Sequence, residues 1–152
     1  MSQHQQNMKQ AAVEHEALRH IIGALRTVLD WKPTADDLPR KLSSLRFIAQ
    51  SFQRHLERLM ALKEQDGYMT DVVEQMPAMA EKVQALLRDH DEFEETLHRL
   101  VLRLEHLSPD DKPKVEAVCR DMEELLVKLD DHHRREADIM QEAFARDVGG
   151  QG

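Results

Sequence analysis

Four stretches of this chain repeat apolar residues at alternating steps of three and four, a spacing that commits the chain to long amphipathic helices packed on one another. The first carries Met8, Ala11, His15, Leu18, Ile22, Leu25 and Leu29; the second Leu42, Leu45, Ile48, Phe52, His55, Leu59 and Leu62. The third carries Met79, Val83, Leu86, His90, Phe93, Leu97, Leu100, Leu104 and Leu107, and the fourth Val118, Met122, Leu125, Leu129, His132, Glu136, Ile139 and Ala143. Lys32-Pro33 stops the first helix near Trp31, and Asp36-Asp37-Leu38-Pro39 opens the second with acids and a proline. Asp66-Gly67 ends the second, Pro77 opens the third, and Ser108-Pro109-Asp110-Asp111 makes the last turn. Such short connections make neighbouring helices antiparallel. The expected fold is all-α, an up-down-up-down antiparallel four-helix bundle forming one domain over residues 1–152, with its core at about 8–146 and a flexible tail at 147–152.

Composition agrees with long helices. Charged residues make up 33% of the 152 positions and aromatics 4%, with five Gly and five Pro, which does not suit a sandwich or a barrel. The net charge is −8 with the two signs interleaved and no Lys/Arg-rich run, so no nucleic-acid partner is expected. No stretch approaches the roughly 18 consecutive apolar residues of a membrane span, and MSQHQQNMKQ lacks the apolar core of a secretory signal. The expected location is the cytoplasm, away from membranes. The single cysteine, Cys119, has no disulfide partner in the chain and sits beside Val118 and Met122, which reads as a buried, inert thiol.

The apolar stripes carry four histidines, His15, His55, His90 and His132, one per segment. Sixteen residues separate His15 from Trp31 and sixteen separate Pro39 from His55, so these two meet at one depth if the segments fold back on each other. His90 to Leu107 is 17 residues and Pro113 to His132 is 19, a mismatch of only ~3 Å at about 1.5 Å of rise per residue. Glu136 follows His132 by one turn on the same stripe. A lone histidine on such a stripe is ordinarily a core residue satisfied by a hydrogen bond. Four imidazoles and a carboxylate at one level would bury several polar groups at a cost on the order of a few kcal/mol without a cation, so the pattern points to a metal site.

Other polar residues fit blander roles. His133 competes with His132 but lies on a flanking row with Leu126, Ala137 and Met140, and its own position four residues on is alanine. His20 points away from the first stripe, and His4, His98 and His106 have no partner pattern. The eight methionines read as core filling. Asp66-Gly67-Tyr68-Met69 is a helix stop, with Tyr68 placed to fold back over the mouth of the site. The chain also reads as duplicated: Glu14-His15-Glu16-Ala17-Leu18 matches Asp89-His90-Asp91-Glu92-Phe93, with 75 residues between His15 and His90 and 77 between His55 and His132.

These residues resemble the hemerythrin-like, or HHE cation-binding, family over residues of about 10 to 146. The resemblance implies an up-down four-helix bundle around a non-haem di-iron centre, as in a bundle protein of that family, myohemerythrin. It implies metal ligands at His15, His55, His90, His132 and Glu136. The family pattern also places a glutamate four residues after the second-helix histidine, and this chain has Leu59 there. Glu94, one turn after His90, is the preferred replacement ligand, since relatives use histidine at that position; Glu57 and Glu64 are the other carboxylates within reach. Two irons, one iron or a zinc remain open, because imidazole suits iron and zinc alike. The expected ligand is a small diatomic, O₂ or NO, or peroxide, bound, sensed or detoxified, with binding favoured over turnover. The alternatives are a bundle with a degenerate or absent metal site serving as an interaction or regulatory module, and, less well suited to so few carboxylates, iron storage.

Overall fold

Helix signals and breakers fall where the chain actually turns. The computed structural model describes residues 2–66 and 68–150, and in it α1 (Gln3–Asp30), α2 (Leu38–Asp66), α3 (Tyr68–Gln75), α4 (Ala80–His106) and α5 (Lys112–Gly150) follow in order, with 3-10 turns at Ala35–Asp37 and Pro77–Met79. No strand occurs among the described residues. Ser2 caps α1 reciprocally: its hydroxyl accepts from the Gln5 N–H at 3.2 Å while the Gln5 side chain accepts from the Ser2 N–H at 3.1 Å. Trp31, in extended conformation ahead of Lys32-Pro33, ends it. The expected glycine stop at Gly67 lies outside the described residues.

Two features depart from the expected four helices. The linker between Asp66 and Pro77 holds a fifth helix, α3, which buries Met69 and Val72. Eight residues offer only two turns of apolar spacing, too few repeats to register as periodicity. At the other end, α5 continues through Gly149 and Gly150, because each added residue of an existing helix gains a hydrogen bond without a new nucleus. Gln151 and Gly152, the rest of the expected tail, lie outside the described residues. The first stripe also begins later than its spacing suggests: Met8 is exposed and the buried positions start at Glu14 and Leu18.

The long helices are tied end to end. Buried Lys41, near the start of α2, donates to Leu29 O at 3.2 Å and Trp31 O at 2.6 Å, satisfying carbonyls that the end of α1 leaves open. Arg46 donates to Leu104 O and Leu107 O, both at 2.6 Å, and so fixes the end of α4 against the start of α2. Arg103 pairs with Asp121 at 2.6 Å, joining the end of α4 to the beginning of α5. Each of these contacts joins the end of one long helix to the beginning of another, so α2 folds back along α1 and α5 along α4.

Buried apolar side chains form two separate clusters. The larger includes Leu18, Leu25, Leu45, Phe52, Leu59, Phe93, Leu97, Met122 and Leu129. The smaller gathers Met69, Val72, Met76 and Met79 with Val83, Leu86, Ile139 and Ala143, with Tyr68 against it. His90 lies between Leu86 of the small cluster and Phe93 of the large one, and His132 between Leu129 and Ile139 in the same way. A polar layer therefore cuts the core in two, and α3 closes the smaller part. Phe52 is fully enclosed in the large cluster. Phe52→Ala is expected to cost about 3–5 kcal/mol and Arg46→Met, which strips two carbonyls of their donors, about 1–3 kcal/mol, both read from urea unfolding followed by far-UV circular dichroism. A Phe52→Ala loss under ~1 kcal/mol would contradict this packing.

Candidate metal centre

The polar layer is assembled from both helical hairpins. In the α4–α5 hairpin, His90 and His132 are buried, their rings 5.1 Å apart between centroids. His132 Nδ1–H donates to Asp89 Oδ2 at 2.9 Å, and Arg135 donates to the same oxygen at 2.6 Å. Burial works against ionising Asp89, yet these two donors hold its carboxyl below the ordinary range. His90 Nδ1–H donates to Glu64 Oε1 of α2 at 3.2 Å. With each Nδ1 carrying the proton, each Nε2 is left as a lone pair directed inward. Both Nε2 atoms are buried and neither has a hydrogen-bond partner.

Glu136 completes the group. One ligand atom from each of His90, His132 and Glu136 falls within 4.8 Å of the others. Two imidazoles and one carboxylate converging with unspent lone pairs is a donor set for a divalent transition metal, iron(II) or zinc(II) among them. Burial opposes ionisation of Glu136, but the Lys63 ammonium and the Tyr68 hydroxyl hold its carboxyl far below the ordinary range. Glu136 is therefore an anion at neutral pH. Lys63 Nζ stands 3.0 Å from Oε1 and 3.1 Å from Oε2. His132 Nε2 is 3.4 Å from Oε2. Phe93 meets His132 edge-on at 5.2 Å and walls the site toward the large cluster.

The remaining candidates lie around this trio. His15 is half-buried and meets His133 edge-on, with ring centroids 5.2 Å apart, and His133 in turn lies 5.9 Å from His132. Burial, then the charge of Lys63, pushes His133 down to about 4 and lowers His15 too. Both are thus neutral imidazoles at physiological pH. His55 Nδ1–H donates to Glu14 Oε2 at 2.6 Å, and Arg58 donates to Glu14 Oε1 at 2.9 Å. Glu94 is half-buried, and burial together with Glu57, Glu64 and Asp91 raises its pKa. Among the described residues, the close group of donors contains His90, His132 and Glu136; His15, His55 and Glu94 stand outside it.

The duplication visible in the sequence acquires a physical meaning. Glu14, Arg58 and His55 of the first hairpin match Asp89, Arg135 and His132 of the second: in each, the acid preceding the first-helix histidine accepts from the second-helix histidine and from the arginine one turn beyond it. Carboxylate partners of this kind fix the tautomer and orientation of a metal-ligating imidazole. Lys63 and Asp89 carry no signal as ligands in the sequence, where His133 enters only as the competitor of His132, although the acid-His doublets at Glu14-His15 and Asp89-His90 mark the carboxylate partners. Tyr68 does lie close enough to act on Glu136, and Cys119 is buried, with burial raising its thiol pKa.

The family model for the hemerythrin HHE cation-binding domain matches residues 9–144. No curated protein and no solved structure gives a significant match to the chain.

In the metal-free protein, His15, His90 and His133 are held below the ordinary histidine value of 6.5. The unfolded chain therefore takes up protons at these sites first as pH falls, so the stability they give is complete above about 6.5 and is lost toward about 4. Glu14 and Asp89, lowered carboxylates, lose theirs only below their ordinary values of 4.5 and 3.8. The urea midpoint should fall between pH 7.5 and pH 5, and His133→Gln should shrink that fall. An unchanged midpoint across this window would contradict the burial of neutral imidazoles.

Proposed function

The chain belongs to the hemerythrin HHE cation-binding family, and from that premise we propose that it is a cytoplasmic non-haem iron protein, an up-down-up-down bundle, that binds O₂, NO or peroxide at its polar layer. The observation that carries this reading is the pair of buried, unpartnered Nε2 atoms on His90 and His132 beside ionised Glu136. Each such atom costs about 1–3 kcal/mol while nothing bonds to it. A cation removes that cost at both at once. Ferrous iron held there would supply the electron density that O₂ or NO takes up on binding, and would act as a Lewis acid toward peroxide.

The protein's own contribution is positioning and exclusion of water. Asp89 and Glu64 hold the two imidazoles by their Nδ1 atoms, so the Nε2 lone pairs face the site in fixed directions. Phe93 on one side and Met69 with its methionine-rich cluster on the other make the surroundings apolar, and the Tyr68 hydroxyl acts on Glu136 from α3. His15 and His133 are neutral imidazoles next to the trio, with His55 and Glu94 beyond it as further candidate ligands. His15 and His133, held neutral, are not ready proton donors near neutral pH, which supports binding over turnover.

A second reading has an observation of its own. Leu59, 1% exposed, fills the position where the family pattern places a carboxylate, and an interaction or regulatory module without metal needs none. Iron(II) loading under anaerobic conditions, followed by NO addition and an optical spectrum, separates the two. The metal reading expects bound iron and a new visible band with NO, both reduced at least tenfold in His90→Ala and Glu136→Ala. A wild-type protein that retains no iron after desalting would leave the interaction module as the reading to pursue.

A further inference from the structure

The two hairpins are alike in their outer partners but unlike at the centre. Position for position, Leu59 in the first hairpin matches Glu136 in the second, each four residues after its histidine. The first hairpin thus supplies no carboxylate there, and Leu59 is spent in the large apolar cluster. One turn further along α2, on the same face, is Lys63. Its side chain is 13% exposed and reaches across to Glu136, itself 17% exposed, approaching both oxygens almost equally. A long cationic side chain is not normally buried unless paired, so this contact is specific to the layer. The Lys63 charge also bears on His15, His90 and His133, the imidazoles on either side of it.

Two metal ions in one buried layer need shared carboxylates to neutralise them, because like charges a few ångströms apart in a low-dielectric interior repel strongly. Here the trio offers one carboxylate, and an ammonium already stands on it. Building on the metal reading, we propose that the Lys63 ammonium stands in for the second cation, so that the protein holds one metal ion per chain, at His90, His132 and Glu136, rather than two. The layer is balanced with one external ion: Glu136 faces a fixed internal cation and leaves a single place for a metal.

The test uses the full-length chain titrated with zinc(II) and, anaerobically, iron(II), with metal per chain measured by mass spectrometry after desalting. Wild type is expected to hold one equivalent. Leu59→Glu alone should still hold one, because Lys63 remains and gains a second carboxylate partner, whereas Leu59→Glu combined with Lys63→Met should rise to two. Two equivalents in wild type, or in Leu59→Glu with Lys63 present, would overturn this proposal while leaving the metal reading intact; so would one equivalent in a folded double variant. No metal in wild type would remove the metal reading and this proposal together. A readout free of metal guards against a double variant that does not fold: metal-free Lys63→Met should melt at lower temperature than wild type, since Glu136 loses the ammonium that stands on it, and an equal melting temperature would overturn the proposal.

Discussion

Two imidazole nitrogens buried without a partner are the constraint around which this protein is arranged. His90 Nε2 and His132 Nε2 sit where an apolar bundle would place leucine, and they interrupt the core so that the packed side chains separate into a large and a small cluster. A polar layer of this kind destabilises the empty protein. Whatever binds there is linked to folding, because a ligand that binds only the native state stabilises it by mass action. The helices around the layer are long and tied near their ends by Lys41, Arg46 and Arg103.

The asymmetry of the layer is as informative as its existence. Both hairpins have the same supporting triad of acid, histidine and arginine, and carboxylate partners of this kind fix the tautomer and direction of an imidazole. The second hairpin keeps the inward carboxylate and the first has replaced it with leucine. Lys63 restores the charge balance from the same helix, one turn on. A layer with imidazoles on both sides, one carboxylate and one internal cation suits a single metal better than a pair.

Much of this was legible in the sequence, and the limits were physical. Apolar stepping located the four long helices, and Pro33, Pro77 and the Ser108-Pro109 turn located their ends, because those signals are local. The short α3 was not legible, since two turns give too little periodicity; yet it is α3 that brings Tyr68 to Glu136 and seals the small cluster. The histidine stripe marked the depth of the site, but counting residues to the turns gives depth alone. It does not say that His15 turns to His133 or that His55 turns to Glu14, because side-chain direction is set by partners on other helices. The role of Lys63 was hidden for the same reason: a lysine on a polar-rich helix end is ordinarily solvated, and only the fold shows it pointing inward.

Bound metal in this layer joins the family membership, the orphaned nitrogens and the lysine-carboxylate pair into one account. Crystals loaded with iron(II) and measured at wavelengths on both sides of the iron absorption edge test it most directly. The account predicts one anomalous peak per chain, among His90 Nε2, His132 Nε2 and a Glu136 oxygen, with Lys63 still on the carboxylate. Absence of any peak in the layer, or a peak only at surface carboxylates, would contradict it.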